Sequence, residues 1–279
     1  MYPYILEAEN ISKQFPGVKA LNKVGIKIKP GSVHALMGEN GAGKSTLMKC
    51  LIGIYHPDEG TIKVRGETVT FSDTLDALHA GIAMIHQELN LVPHMTVAEN
   101  IWLGREPVHY GLVNHDLLNS KTQDLLQYLN IKLKPDMIVG DLNIASQQMV
   151  EIAKAVSYDA DVLIMDEPTS ALTEGEVFHL FAIIKELKEQ GKGIIYISHK
   201  MDEIFEITDE VSIFRDGLLV ATDKTENLTK QSLITMMVGR ELTHMFPKFN
   251  NNIGEEVLKV SGLQRAGLFR DISFSVKRG

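Results

Sequence analysis

A single cysteine, Cys50, stands in 279 residues. No disulfide can therefore form within the chain, and such scarcity fits a reducing compartment. No apolar run approaches the roughly 18 residues needed to cross a bilayer. The opening residues, Met1-Tyr2-Pro3-Tyr4-Ile5, lack the basic-then-apolar pattern of a secretory signal. The expectation is a soluble protein, or one held at a membrane only through a partner. Basic residues are in the minority, 28 against 36 acidic, for a net charge of −8. A nucleic-acid binder usually carries a basic stripe to neutralise phosphates, so no nucleic-acid partner is expected. What is present is ordinary: 44% hydrophobic and 23% charged residues argue against disorder or a fibrous repeat. At about 150 residues per domain, the length suggests roughly two domains.

Strand-like alternation runs over residues 5–11 and 18–28, and a short apolar run over 33–37. A glycine-rich loop follows. Residues 45–52 then read as a helix with Leu47, Met48, Leu51 and Ile52 as its apolar positions, and 61–64 and 68–71 as a hairpin about Arg65-Gly66. From about 94 to 158 the pattern is helical, with helices at 96–105 and 116–129 and no strand between them. This stretch is expected to be an inserted helical subdomain. Alternation resumes with a strand at 162–165, a helix at 176–190 ended by Gly191, a strand at 193–197 and a helix at 201–207. A hairpin over 211–221 turns at Asp216-Gly217. The expected fold class is α/β, with a mixed, mostly parallel sheet and an antiparallel β portion.

Residues 241–254, with Pro247 and Asn250-Asn251-Asn252, have the composition of a linker. Beyond them the sequence repeats itself. Residues 257–263 resemble 5–11 at an offset of 252, and 269–279 resemble 21–31 at an offset of 248. Two segments in one order at nearly one offset indicate an internal repeat. Residues 1–240 are thus expected to be a first domain, and 255–279 the opening strands of an incomplete second one. The chain is expected to be truncated.

Gly38-Glu39-Asn40-Gly41-Ala42-Gly43-Lys44-Ser45 fits G-x-x-x-x-G-K-[ST] between an expected strand and an expected helix. Its glycines permit positive φ and leave no Cβ to block a phosphate. Successive N–H groups at a helix N-terminus favour an anion there. Lys44 would reach the β- and γ-phosphates, and the Ser45 hydroxyl would bind Mg²⁺. Four apolar residues, Val162 to Met165, carry Asp166 and Glu167 to a strand end. Asp166 would hold Mg²⁺, directly or through water, and Glu167 would orient or deprotonate an attacking water.

Further motifs resemble, in order over about 240 residues, those of the ATP-binding subunits of ABC transporters. Gln87 looks like the Q-loop glutamine and doubles as a metal ligand. Residues 142–148 occupy the place of the signature motif, Ser170-Ala171-Leu172-Thr173 that of the D-loop, and His199 that of the switch histidine. Phe15 sits where the family stacks an aromatic on adenine, and Thr46 joins the nucleotide cradle. The resemblance implies a P-loop ABC ATPase fold that takes ATP and Mg²⁺ and hydrolyses ATP through Glu167, Gln87 and His199. Residues 15–21, 85–89, 165–170 and 196–201 further resemble the fused sugar-importer ATPases of bacteria. Those carry two ATPase halves and drive ribose, xylose or galactose uptake. Residues 149–158 and 193–196 look closest to the galactose/methyl galactoside class. The implied partners are membrane permease subunits, a second ATPase half or a second copy, and indirectly a sugar-binding protein. The implied location is the cytoplasmic face of the bacterial inner membrane.

One motif departs from the family. Its signature is Leu-Ser-Gly-Gly-Gln, whereas this chain has Leu142-Asn143-Ile144-Ala145-Ser146. Two added Cβ atoms stand where a backbone should approach phosphate, so this signature is expected to serve a weak site. Other classes fit less well. Repair-type ABC proteins carry a long coiled coil between Q-loop and signature, but here the gap is 55 residues without sustained heptads. Translation-type members usually keep good signatures and a basic linker. GTPases and small-molecule kinases lack the paired Gln87, signature and His199 elements. Cys50 is expected in the helix core and Trp102 packed inside the helical subdomain, while His86 and His94 fit no metal-ligand pattern.

Overall fold

The structure, a computed structural model, describes residues 2–239 and 253–278. These form two compact units, one for each stretch. In the first, β1 (Leu6–Phe15) and β2 (Val18–Ile28) pair antiparallel around Pro16-Gly17. β3 (Ser32–Gly38) feeds the glycine-rich loop and α1 (Lys44–Leu51). β4 (Glu59–Val64) and β5 (Glu67–Val69) form a hairpin that adds to β1, giving an antiparallel sheet of order β2-β1-β4-β5.

Next come α2 (Thr74–His79) and β6 (Ile82–Ile85), neither of which was expected from the sequence. α2 is six residues long, too short for its period to register. Its start is set by the Asp73 carboxylate, which accepts the N–H groups of Leu75 and Asp76 at 2.8 and 3.0 Å. β6 is four apolar residues without alternation.

The helical subdomain contains α3 (Val97–Ile101), α4 (His115–Tyr128) and α5 (Ile144–Val156). Two expectations fail here. α3 ends four residues early. Trp102 to Gly104 turn away from the helix, with Gly104 at φ +75°. A small hairpin, β7 (Val108–His109) with β8 (Leu112–Val113), separates α3 from α4. Its turn is Tyr110-Gly111, with both residues at positive φ. Tyr-Gly is a weak signal for such a turn beside Asn-Gly or Asp-Gly, so the strands pass unnoticed in the sequence.

After β9 (Val162–Asp166) come α6 (Glu174–Glu189), β10 (Gly193–Ile197) and α7 (Met201–Ile207). β11 (Glu210–Arg215), β12 (Leu218–Lys224) and α8 (Lys230–Val238) complete the unit. The second sheet has the order β12-β11-β3-β10-β9-β6, parallel except for β12. Its central strands are buried on both faces, which is why they read as unbroken apolar runs. Period-2 alternation divides them between two cores. Leu163, Met165, Ile194 and Tyr196 face the helical side. Val162, Ile164, Ile195 and Ile197 pack with Leu47, Met48 and the buried residues of β1 and β2. Cys50 lies in the latter core and is almost fully buried. Trp102 packs in the subdomain, donating to Thr122 Oγ1 at 3.0 Å.

Residues 241–252 of the expected linker lie outside the described residues. The second unit is an antiparallel ribbon, β13 (Glu256–Arg265) with β14 (Phe269–Lys277). It pairs Leu258 with Val276, Val260 with Phe274 and Leu263 with Ile272. These match the pairs Leu6 with Ile28, Ala8 with Ile26 and Ile11 with Val24 in β1–β2, at the two sequence offsets.

Candidate functional site

Four neighbouring parallel strands, β3, β10, β9 and β6, end on the same side of the sheet. Their C-terminal ends carry, in spatial order, the glycine-rich loop, His199, the Asp166-Glu167 pair and Gln87. This is the edge at which open α/β sheets bind ligands. Residues scattered over more than 160 positions therefore meet because strand order, not chain order, sets their distance.

The loop backbone needs glycine at two places for steric reasons. Gly38 has φ +155°, and a Cβ there would lie 2.3 Å from the Phe214 carbonyl oxygen. Gly43, just before α1, has φ +103°, and a Cβ would meet the Ala20 carbonyl oxygen at 2.7 Å. The Lys44 ammonium folds over the loop and donates to the carbonyls of Gly38 and Glu39 at 2.7 and 3.0 Å. Burial lowers its pKa, and the charges of Asp166 and Glu167 partly restore it. Asp166 shows the complementary effect. Burial raises its pKa, Glu167 raises it further, and Lys44 leads the cations that oppose both.

Glu167 has φ +47°, an uncommon conformation for a residue with a long side chain. Two backbone bonds hold it there: its N–H donates to Ile197 O at 2.9 Å, and its carbonyl accepts Ser170 N–H at 3.2 Å. Its Oε1 lies 3.1 Å from His199 Nδ1. The His199 side chain is otherwise 70% exposed, so its second ring nitrogen is free to meet a ligand.

These groups surround a cleft of about 1140 Å³. Of the residues singled out in the sequence, Phe15, Asn40, Gly41, Gly43, Lys44, Ser45, Thr46, Gln87, Glu167 and His199 line it. Phe15 is steadied by an edge contact with Tyr55, ring centres 5.2 Å apart. Gly38, Glu39, Ala42 and Asp166 do not line the cleft. Ala42 is buried in the core beneath the loop, and Asp166 is the half-buried last residue of β9. The signature segment 142–146 is also absent from the lining. Asn143 caps α5, its side chain accepting Ser146 N–H at 2.7 Å, and Ile144 is exposed.

Five lining residues were missed: Val18, Lys19, Ala20, Asp216 and Gly217. The Asp216-Gly217 dipeptide was legible as a turn, but nothing in it indicates where the turn docks. Gly217 N–H donates to Ala42 O at 3.2 Å, and Gly217 O accepts Asn22 N–H at 2.8 Å. The β11–β12 turn thus ties the glycine-rich loop to β2.

The Ser45 hydroxyl, Gln87 amide and Asp166 carboxylate are oxygen donors, the set a hard cation such as Mg²⁺ takes. Among the described residues no group of three or more His, Cys, Asp or Glu side chains is arranged to hold a metal. A cation here would rest partly on ligand oxygens.

Residues 21–170 match the family described as ABC transporter. A protein of Pseudomonas savastanoi pv. phaseolicola, provisionally named a ribose/galactose/methyl galactoside import ATP-binding protein, is 59% identical over 99% of this chain and 53% of its own length. A protein of the same provisional name from Hahella chejuensis is 57% identical over 100% of this chain and 54% of its own. The chain thus spans about half the length of these curated relatives. Among solved structures, the ADP conformation of an ATP-binding cassette of an ABC transporter superposes with TM-score 0.74 at 27% identity, covering 85% of this chain and 99% of that one. A nucleotide-free ATP-binding cassette gives TM-score 0.73 at 26% identity, covering 85% and 95%.

Proposed function

The chain belongs to the ABC transporter family, and on that premise we propose that it binds ATP with Mg²⁺ in the cleft and hydrolyses it to energise monosaccharide import through a membrane permease. The sugar is of the galactose/methyl galactoside class. The observation that carries this reading is the convergence of four strand ends on one cleft, with a phosphate loop, a carboxylate, an amide and an imidazole facing the same space.

In this reading Phe15 stacks on the adenine, and the loop from Gly38 to Thr46 cradles the phosphates with its N–H groups. Lys44 exchanges its two carbonyl partners for phosphate oxygens. Ser45 and Gln87 would hold Mg²⁺, with Asp166, set back from the cleft lining, reaching it directly or through a water, and the ion would neutralise phosphoryl charge. Glu167 orients the attacking water and accepts its proton. For His199 to stabilise the γ-phosphate, its Nε2 must carry the proton it donates, because phosphate oxygens only accept. With both nitrogens protonated it donates there.

The ribbon β13–β14 is read as the start of a second ATPase half, supported by its shared register with β1–β2. The composite nucleotide site is completed by that half or by a second copy of the chain. The signature at 142–146 then serves a weak site. The permease and a sugar-binding protein select the sugar, and the chain sits peripherally at the cytoplasmic face of the inner membrane. Among the described residues no helix is long and apolar enough to cross a membrane. Ribose is the second reading, favoured by its place in the relatives' names.

Co-purification with a permease, followed by a transport assay with galactose, methyl galactoside, ribose and xylose, tests the proposal. ATP-dependent uptake of galactose above the pentoses is expected. ATP turnover without any permease association points instead to a non-transport ABC ATPase.

A further inference from the structure

Behind the cleft lies a buried carboxylate that the mechanism above does not use. Glu203, near the start of α7, is 7% exposed. Its Oε1 accepts Thr169 Oγ1 at 2.8 Å and lies 3.1 Å from Lys200 Nζ. Its Oε2 accepts Tyr196 OH at 2.8 Å and Ser198 Oγ at 2.9 Å. The roughly four lone-pair positions of a carboxylate are thereby filled. Lys200 Nζ also donates to Thr169 Oγ1 at 3.1 Å and to Thr169 O at 3.3 Å, closing the network.

The partners are distributed in a telling way. Thr169 follows Glu167 by two residues. Ser198 and Lys200 flank His199. One carboxylate therefore grips the two segments that carry the Glu167–His199 contact, just beyond the β9–β10 ladder and the bond from Glu167 N–H to Ile197 O. None of the network's five residues lines the cleft.

We propose that Glu203 is a positioning residue for ATP hydrolysis, setting the separation of Glu167 and His199 from behind. This rests on the proposed ATPase reading. A carboxylate suits the task because it accepts from four donors at once, and it is held in a buried site where a half-satisfied network would be costly. Glutamine matches its shape but turns one acceptor into a donor. In either orientation of the amide, two of the four partners lose their acceptor.

The test is Glu203→Gln, alone and combined with His199→Ala. ATP Kd should stay within about threefold, because the phosphate loop is untouched. Turnover should fall roughly 30- to 100-fold, the scale of a small misplacement at a reacting centre. The double variant should be no slower than His199→Ala alone, since both act on one unit. Losses that multiply, or turnover within threefold of the parent, overturn the proposal.

The NMR resonances of the His199 ring in the nucleotide-free chain provide a readout independent of turnover. They should shift in Glu203→Gln, and unshifted resonances also overturn the proposal. Turnover that survives His199→Ala would instead remove His199 from the proposed function, and the ring resonances alone would then decide the role of Glu203. Should Glu203→Gln fail to fold, Tyr196→Phe removes one donor and leaves the carboxylate. It should lower turnover by about threefold and shift the same resonances. No change in either would count against the proposal.

Discussion

Replacing Gly217 by alanine tests how the β11–β12 turn is joined to the phosphate loop. Gly217 sits at φ +73°, where a Cβ would lie 2.8 Å from the Ala20 carbonyl oxygen and 3.1 Å from that of Lys19. The obstacles are backbone atoms, so a side-chain rotation cannot relieve them. Left-handed strain costs an alanine about 1–2 kcal/mol. Displacing the turn also weakens its bonds to Ala42 and Asn22, each contributing about 0.5–1.5 kcal/mol. Gly217→Ala should therefore lose about 2–4 kcal/mol in urea unfolding. Gly191→Ala is the control. Its φ is similar, +86°, but nothing lies within 4 Å of the new Cβ. That variant should lose only the strain, about 1–2 kcal/mol. Gly217→Ala should also weaken ATP binding by roughly tenfold, because the turn forms one wall of the cleft and holds the loop at Ala42. Equal losses of stability in the two variants, with ATP affinity unchanged, would refute the reasoning.

Two further outcomes follow from the geometry. His34, buried on β3 against Ser212 Oγ at 2.8 Å, has its pKa pushed down from 6.5 to about 4 by burial, with the Glu210 charge opposing and Lys29 assisting. Between those values the unfolded chain binds the proton and the folded chain does not. The stabilisation is therefore full above pH 6.5 and drains away as pH falls toward 4. On the order of 3 kcal/mol should be lost over this window, and His34→Gln should flatten that part of the stability–pH curve. Restoring Ser, Gly and Gly at Asn143, Ile144 and Ala145 should raise the number of ATPs hydrolysed per closed dimer. An unchanged number would remove the weak-site reading of this signature.

The parts of the site legible in the sequence are those whose chemistry is contiguous. Gly38 to Ser45 announces a phosphate cradle because loop, lysine and hydroxyl lie within eight residues. The apolar run ending in Asp166-Glu167 announces a buried strand with acids at its tip. Lys19, Asp216 and Gly217 gave no such signal, since they reach the cleft only through docking of one hairpin on another. The same holds for Glu203. In the sequence it is one acid in the helix segment Met201-Asp202-Glu203. Only burial and four converging donors distinguish it from exposed Asp202 beside it. The hairpin at Val108–Val113 and the six-residue α2 were illegible for a different reason. They are too short for a period to accumulate, and their boundaries rest on single turn or cap residues. The central strands were legible as buried but not as ordered. Their sequence does not say that β10 lies between β3 and β9, and that order is what brings His199 beside Glu167.

The central claim is that this cleft binds ATP and that Glu167 drives its hydrolysis. The most direct measurement is ATP Kd and turnover for Glu167→Gln, in the chain assembled with whatever completes its site. The account predicts ATP binding within about threefold of the parent and turnover lowered by at least about a hundredfold. Normal turnover by Glu167→Gln would contradict it.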